Sequence, residues 1–253
     1  MPSSSGPGAD MELTVLGCSG SYGGPRGAAC SGYLVREGDT AVWLDCGNGT
    51  FGHLQQHISA EELSAVVITH EHPDHCVDVY GLHVLMKWGL QREGFPVYAP
   101  EGLEDHLGIL VGGDWGGAFK WCGIDDGAHV EIGCMSLRFS RTDHPPPTFA
   151  VEVEGNRKRL VYTSDTGSGW TVSAFAPGAD LVLSEATWVD DDKPAPIHLS
   201  AKEAGMFARE AGARRLMLTH LWPQNDPRRT VEEGSDAFGE AVTLAAPHLV
   251  TRV

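Results

Sequence analysis

The stretch Ser64-Ala65-Val66-Val67-Ile68-Thr69-His70-Glu71-His72-Pro73-Asp74-His75 decides how this chain is read. Ser64 to Thr69 is a short β-branched apolar run, the pattern of a buried strand. Histidines and an aspartate crowd the positions that follow directly on it. Imidazole and carboxylate are natural ligands of zinc or a similar divalent metal. A loop leaving a strand end points alternate residues to one side, so His70 and His72 can share one ion. Asp74 and His75 then turn toward a second ion as the chain enters a helix, and Pro73 stiffens that turn. A lone histidine reads most simply as a core or surface residue; this spacing at a strand end does not.

On the N-terminal side of that loop, Met11–Leu16, Tyr33–Arg36 and Ala41–Leu44 read as strands, and Thr50–His57 as a short helix. Gly17 to Gly32 is a glycine-rich loop. Ser59 with Glu62 three residues on has the form of a capping box. On the C-terminal side, Val77–Leu90 reads as a helix, Pro96–Ala99 as a strand, Glu101–Leu110 as a helix and Gly112–Gly127 as a loop. Strands follow at His129–Ile132, Met135–Arg141, Phe149–Glu154, Arg159–Thr163, Leu181–Ser184 and Arg214–Thr219. Ser200 caps a helix with an apolar stripe at Ala204, Phe207, Ala208 and Ala211. Asp226-Pro227 opens another, and Val250 and Val253 belong to a last strand. The order of strands and helices predicts an α/β fold, two face-to-face sheets with helices outside, an αββα sandwich.

Four further residues of metal-binding type stand at predicted strand ends, where α/β folds gather their sites. They are Asp45, His144, Asp165 and His220. Residues 1–10, rich in Ser, Gly and Pro, read as a disordered lead, with residues 11–253 as the domain. The lead has neither a basic nor an apolar region, so it does not have the form of a signal peptide. The six cysteines form no CxxC pair, and each reads as a reduced, small core residue, which places the chain in the cytoplasm. No apolar run approaches the ~20 residues of a membrane span, so no membrane partner is expected. The net charge is −16, from 18 basic and 34 acidic residues. Non-specific nucleic-acid affinity rests on Lys and Arg, so this balance disfavours long nucleic acid and leaves room for a small anion drawn to a metal centre.

His70-Glu71-His72-Pro73-Asp74-His75 matches the HxHxDH signature of the metallo-β-lactamase superfamily, which the chain resembles in motif order from about Met11 to Val253. The resemblance implies a two-zinc hydrolase, with manganese or iron as other metals that such ligands accept. It assigns His70, His72 and His144 to one ion, Asp74, His75 and His220 to the other, and Asp165 to a bridge. Asp45 becomes the buried carboxylate that orients the ligand loop. Every ligand position is filled, which argues against a metal-bound module without activity.

Within the superfamily, Asp45-Cys46-Gly47-Asn48-Gly49-Thr50 resembles the DCGEGT segment of the tRNA 3′-processing endonucleases (ribonuclease Z). Ser184-Glu185-Ala186-Thr187 resembles their HEAT loop and His198-Leu199-Ser200 their HST loop. Those enzymes carry a long tRNA-gripping arm, in many of them between the equivalents of His144 and Asp165. Here that interval holds only two short strands and the turn Glu154-Gly155-Asn156. The segments Gly17–Ser21, His198–Met206 and Leu218–His220 are similar to the atypical cyclic-nucleotide phosphodiesterases of the same branch. The resemblance therefore implies hydrolysis of a small phosphodiester such as a 3′,5′-cyclic nucleotide, with Asp74 a catalytic residue as well as a metal ligand. His198 is the general acid for the leaving alkoxide, oriented by Glu185. Trp115, Trp121, Trp170 and Trp222 could stack on a base, and none of them is assigned. Ser19, Ser21 and their glycines either offer N–H groups to a phosphate or form a plain loop. A tRNA endonuclease, a lactone or thioester hydrolase and a pathway-specific hydrolase remain as alternatives, and relatives in this branch often form homodimers.

Overall fold

A computed structural model describes residues 10–24 and 28–253. Most of the 1–10 lead therefore lies outside the described residues. Two sheets of seven strands dominate. The first takes β1 (Glu12–Gly17), β2 (Gly32–Glu37), β3 (Thr40–Leu44), β4 (Ala65–Val67), β5 (Phe95–Pro100) and β6 (Phe119–Ile124), with the last strand, β14 (Val250–Arg252), on the edge beside β1. The second takes β7 (His129–Ile132), β8 (Met135–Arg141), β9 (Phe149–Gly155), β10 (Lys158–Tyr162), β11 (Leu181–Glu185), β12 (Leu216–Thr219) and β13 (Thr243–Leu244) in chain order.

Side-chain alternation along these strands builds the layers. Val42, Leu44, Ala65 and Val67 of the first sheet meet Leu181, Leu183, Met217 and Tyr162 of the second in the core between the sheets. Their neighbours Ala41, Trp43 and Val66 point the other way, under α1 (Thr50–Leu54), α3 (Val79–Val84) and α4 (Leu103–Gly108). On the far face of the second sheet, Val182, Leu216 and Leu218 pack beneath α5 (Ala201–Glu210) and α6 (Pro227–Phe238). Strands buried on both faces need apolar residues at every position, which is why the SAVVIT run shows no polar alternation. The result is the expected αββα sandwich.

The loop expected at Gly112–Gly127 contains β6, an edge strand parallel to β5. Only its ends, Phe119 and Ile124, are buried, so it lacks the alternation that marks a strand. The helix expected over Val77–Leu90 is α3 followed by a wider π turn at Leu85–Gly89. Both capping boxes form, at Ser59–Glu62 and Ser200–Glu203, and Asp226 caps α6 ahead of Pro227. Of the cysteines, Cys30, Cys46 and Cys76 are buried, but Cys134 is exposed and Cys18 and Cys122 are half-buried. Cys134 sits at the β7–β8 turn, beyond the reach of either core. No helix among the described residues is long and apolar enough to cross a membrane.

β3 and β4 run parallel, as do β10, β11 and β12. Their C-terminal ends therefore share one rim, and every candidate site residue lies on or just beyond that rim.

Candidate metal centre

The chain leaves β4 through Thr69 and His70, and α2 (Pro73–Cys76) begins after His72. This short path brings His70, His72, Asp74 and His75 to the rim from one side. His144, Asp165 and His220 arrive from the second sheet. Two groups of donors result: His70, His72, His144 and Asp165 in one, Asp74, His75 and His220 in the other.

In the first group, His70 Nε2 is 3.0 Å and His144 Nε2 3.3 Å from His72 Nδ1. In the second, His220 Nε2 is 3.2 Å from both His75 Nε2 and Asp74 Oδ2. Asp165 faces both groups. Its Oδ2 lies 3.6 Å from His70 Nε2 and 3.8 Å from His144 Nε2; its Oδ1 lies 3.3 Å from His75 Nε2 and 3.4 Å from His220 Nε2. Oδ1 is buried and makes no hydrogen bond.

The other nitrogen of each of four histidines has a fixed acceptor. His144 Nδ1–H donates to the Ile197 carbonyl at 2.9 Å, and His75 Nδ1–H to Asp45 Oδ2 at 2.7 Å. The Thr187 hydroxyl donates its one proton to Glu185 Oε2 at 2.6 Å, so it accepts from His220 Nδ1–H at 2.8 Å. The Thr69 hydroxyl donates to Asp45 Oδ2 at 2.9 Å and in the same way accepts from His70 Nδ1–H at 3.1 Å. Outward N–H bonds of this kind set the tautomer and turn the Nε2 lone pairs inward.

Charge tells the same story. Burial, and next the charge of His75, hold His70 well below its usual range and keep it neutral. Burial opposes the ionisation of Asp165, yet His220 and His75 hold its carboxyl well below the usual range. Burial also opposes charge on His75, but Asp165, Asp45 and Asp74 raise it well above its usual value. The carboxylates thus draw positive charge into the cluster, and a divalent cation would displace that proton. Inward lone pairs, ionised carboxylates and an orphaned buried oxygen fit divalent metal.

Asp45 holds the ligand loop. It is fully buried with a left-handed backbone (φ 54°). Its oxygens accept from the Thr69 N–H at 2.7 Å, the Thr69 hydroxyl, His75 and the Tyr162 hydroxyl at 2.8 Å. Burial first, and the Asp45 carboxylate next, push the Tyr162 phenol far above its usual range, so it remains a donor. Ser164 and His220 also take left-handed backbones (φ 52° and 57°), strain of the kind that clusters at functional sites. Gly47 is required: a Cβ there would lie 2.0 Å from the Asp74 carbonyl oxygen.

His198 stands at the edge of the cluster, its side chain 12% exposed, with Nδ1 3.1 Å from Glu185 Oε1. It also falls near enough to Asp165 and His220 to form a third donor group, but Nδ1 is held by Glu185, and Asp165 Oδ2 is 3.9 Å away. Burial works against protonation of His198, but Glu185 outweighs it and lifts the pKa to about 9. Glu185 also accepts the Thr166 N–H at 2.6 Å, beside Asp165.

All ten residues singled out in the sequence thus meet on one rim. Thr69, Thr187, Ser164 and Tyr162 were not among them; Thr187 lies within the segment Ser184–Thr187 and Thr69 directly precedes His70, while Ser164 and Tyr162 were given no role. The N–H groups of Ser19 and Ser21 are not free for a phosphate. Ser21 N–H donates to Asp74 Oδ2 at 2.7 Å, and Ser19 N–H to the Ala29 carbonyl. Both groups are therefore spent on the protein.

Residues 40–221 match the β-lactamase superfamily domain. An uncharacterized protein of Mycobacterium leprae is 34% identical over 95% of this chain and 91% of its own length. The probable metallo-hydrolase YhfI of Bacillus subtilis is 32% identical over 83% of this chain and 87% of its own. A crystal structure of YhfI superposes with a TM-score of 0.88, covering 97% of this chain and 100% of that one at 28% identity. The ribonuclease Z of Natronomonas pharaonis is 28% identical over 90% of this chain and 93% of its own.

Proposed function

The chain belongs to the β-lactamase superfamily, as a metallo-hydrolase related to ribonuclease Z, and on that premise we propose that it hydrolyses small phosphodiesters, a 3′,5′-cyclic nucleotide foremost. The observation that carries this reading is the His198–Glu185 pair set against the donor cluster.

His70, His72 and His144 would hold one divalent metal, Asp74, His75 and His220 a second, and Asp165 both, with zinc the metal proposed. Such a pair supplies Lewis-acid neutralisation of the phosphoryl oxygens and water activated at neutral pH. The chain's own residues do the rest. Asp45, Thr69 and Thr187 fix the ligand tautomers. Glu185 holds Nδ1 of His198, which leaves Nε2 as the nitrogen free to carry a proton to the leaving alkoxide. The Glu185 carboxylate raises the pKa of His198 and so favours a proton on it.

A tRNA endonuclease is the second reading, favoured by the similarity to a ribonuclease Z. Against it, β9 and β10 form a plain hairpin between His144 and Asp165, without room for an arm, and the net charge of −16 repels a polyanion. The test is turnover by the metal-loaded protein of cyclic AMP, bis(p-nitrophenyl) phosphate and a pre-tRNA. Cleavage of the cyclic nucleotide without tRNA cleavage is the expected result. Activity on neither phosphodiester, with metal bound, would overturn the proposal and turn attention to carbonyl or pathway-specific substrates.

A further inference from the structure

The segment that carries His198 into the cluster is Lys193-Pro194-Ala195-Pro196-Ile197. It leaves the helical layer where Lys193 pairs with Glu203 of α5 at 2.6 Å and Asp192 with Arg229 of α6 at 3.0 Å. Pro194, Pro196 and Ile197 are exposed. Proline has no N–H to donate, so a segment of this composition is tied to its neighbours chiefly through carbonyls. Two of its carbonyls reach the rim.

The Ile197 carbonyl accepts Nδ1–H of His144 at 2.9 Å. One residue ahead of His198, the segment is therefore bonded to a member of the first donor group, and the His144 and His198 rings lie 5.0 Å apart. The Pro196 carbonyl lies over Gly167. A Cβ on Gly167 would stand 2.2 Å from the Pro196 oxygen and 2.7 Å from Asp143 Oδ2. Gly167 is itself fixed, because its N–H donates to the Asp143 carbonyl at 2.6 Å and the Gly169 N–H to Asp143 Oδ2 at 2.9 Å. Asp143 precedes His144, and Gly167 follows Asp165 by two residues. The stretches that deliver His144, Asp165 and His198 thus meet at one glycine.

An ion held by Nε2 of His144 requires the proton on Nδ1 and makes that N–H a stronger donor. His144 is buried, so an unpaired N–H there is costly, and the Ile197 carbonyl is its acceptor. Without the ion, the proton is free to move to Nε2, which faces Asp165 Oδ2 at 3.8 Å. Nδ1 would then turn a lone pair toward the carbonyl and release the segment. A link of this kind acts equally in both directions.

We propose that Gly167 and the Ile197 carbonyl are positioning elements that couple the seating of His198 to the binding of an ion by His144. The proposal rests on the phosphodiesterase reading only in treating His198 as the proton donor.

Two of the three measurements need no substrate. Hydrogen exchange of the peptide spanning 193–199 is followed in the metal-free and zinc-loaded protein, and zinc is expected to slow it by at least about tenfold. Gly167→Ala sets a Cβ against the Pro196 oxygen and keeps all seven donors of the two groups. Its zinc affinity, by competition with a chelator, should fall about 10–100-fold, and zinc should no longer slow exchange of the segment. Fully zinc-loaded, it should lose about 10²-fold in kcat on cyclic AMP but little on bis(p-nitrophenyl) phosphate, whose leaving group needs no proton. Pro196→Gly loosens the segment and leaves Gly167 and Asp143 as they are. It should move the same readouts in the same direction by about two- to fivefold, and it decides the matter should Gly167→Ala fail to fold or act through Asp143. Equal exchange with and without zinc in the parent, or parental zinc affinity in the folded variants, overturns the coupling. Equal losses on the two esters overturn the placement of His198. If the parent hydrolyses neither ester, the phosphodiesterase reading falls, and exchange and affinity decide the coupling by themselves.

Discussion

Asp45 and Glu185 are buried carboxylates at the ends of strands in opposite sheets, and each steadies one part of the donor cluster. Asp45 receives the N–H and hydroxyl of Thr69, Nδ1–H of His75 and the hydroxyl of Tyr162. All of these donors belong to the permanent frame, and Tyr162 ties the second sheet to the first. Glu185 receives the Thr166 N–H and the Thr187 hydroxyl, and then His198, the residue proposed to give up a proton. One carboxylate is therefore static. The other orients His220 through Thr187 and also holds His198, the proton donor of the proposed reaction. Substitutions that remove stability, metal or proton delivery separately can break or sharpen this contrast.

The largest effect is expected where neither carboxylate intervenes. His72 is half-buried, its Nδ1 faces His70 and His144, and its ring is not tied to Asp45 or Glu185. His72→Ala should lower bound metal, measured by elemental analysis, and reduce turnover by more than about 10⁴-fold, beyond what a general acid alone contributes. Full activity in that variant would remove the site assignment.

Asp45→Asn should be next, and its loss should appear in stability. Either placement of the Asn amide sets an N–H₂ group against donors, because both Asp45 oxygens only accept. Breaking a buried charged network typically costs about 3–5 kcal/mol, and urea unfolding should show it. If the variant unfolds like the parent, Asp45 is not the anchor of the loop.

The legibility of the two regions differs for physical reasons. The β4 loop could be read directly, because its ligands are contiguous and follow a strand buried on both faces. His144, Asp165 and His220 lie far apart in the chain, and only motif order joined them before the sheets did. The order of strands and helices foretold the two sheets, but β6 escaped because an edge strand with a half-solvated face loses the alternation that marks a strand. Thr187 stood in the segment Ser184–Thr187, but no role could be given to it. Its role depends on a hydroxyl proton already committed to Glu185, and that is visible only in three dimensions.

Glu185→Gln tests the dual role. Glu185 is what lifts His198, against burial, to a pKa of about 9. A histidine raised by a partner is protonated below that pKa and loses its proton as pH rises through it. Removing the carboxylate should shift the alkaline limb of kcat toward lower pH. Turnover of a poor leaving group at neutral pH should fall by about 10²-fold, with little change for a p-nitrophenyl ester whose leaving group needs no proton. Equal losses on both esters would reduce Glu185 to a structural carboxylate like Asp45.

The smallest effect falls on the link between the two functions of Glu185. Thr187→Val keeps the shape of the side chain but deletes the acceptor for His220 Nδ1–H. His220 is then free to hold its proton on Nε2, the nitrogen that faces Asp74 and His75. Metal affinity, measured by competition with a chelator, should drop about 10–100-fold, the usual cost of losing such an outer partner. His198 still has Glu185, so the leaving-group dependence of the fully metal-loaded variant should match the parent. Thr187→Ser restores the hydroxyl and should restore affinity. If Thr187→Val instead alters leaving-group dependence while binding metal normally, Glu185 acts on His198 alone, and orientation of His220 must come from the left-handed backbone at that residue.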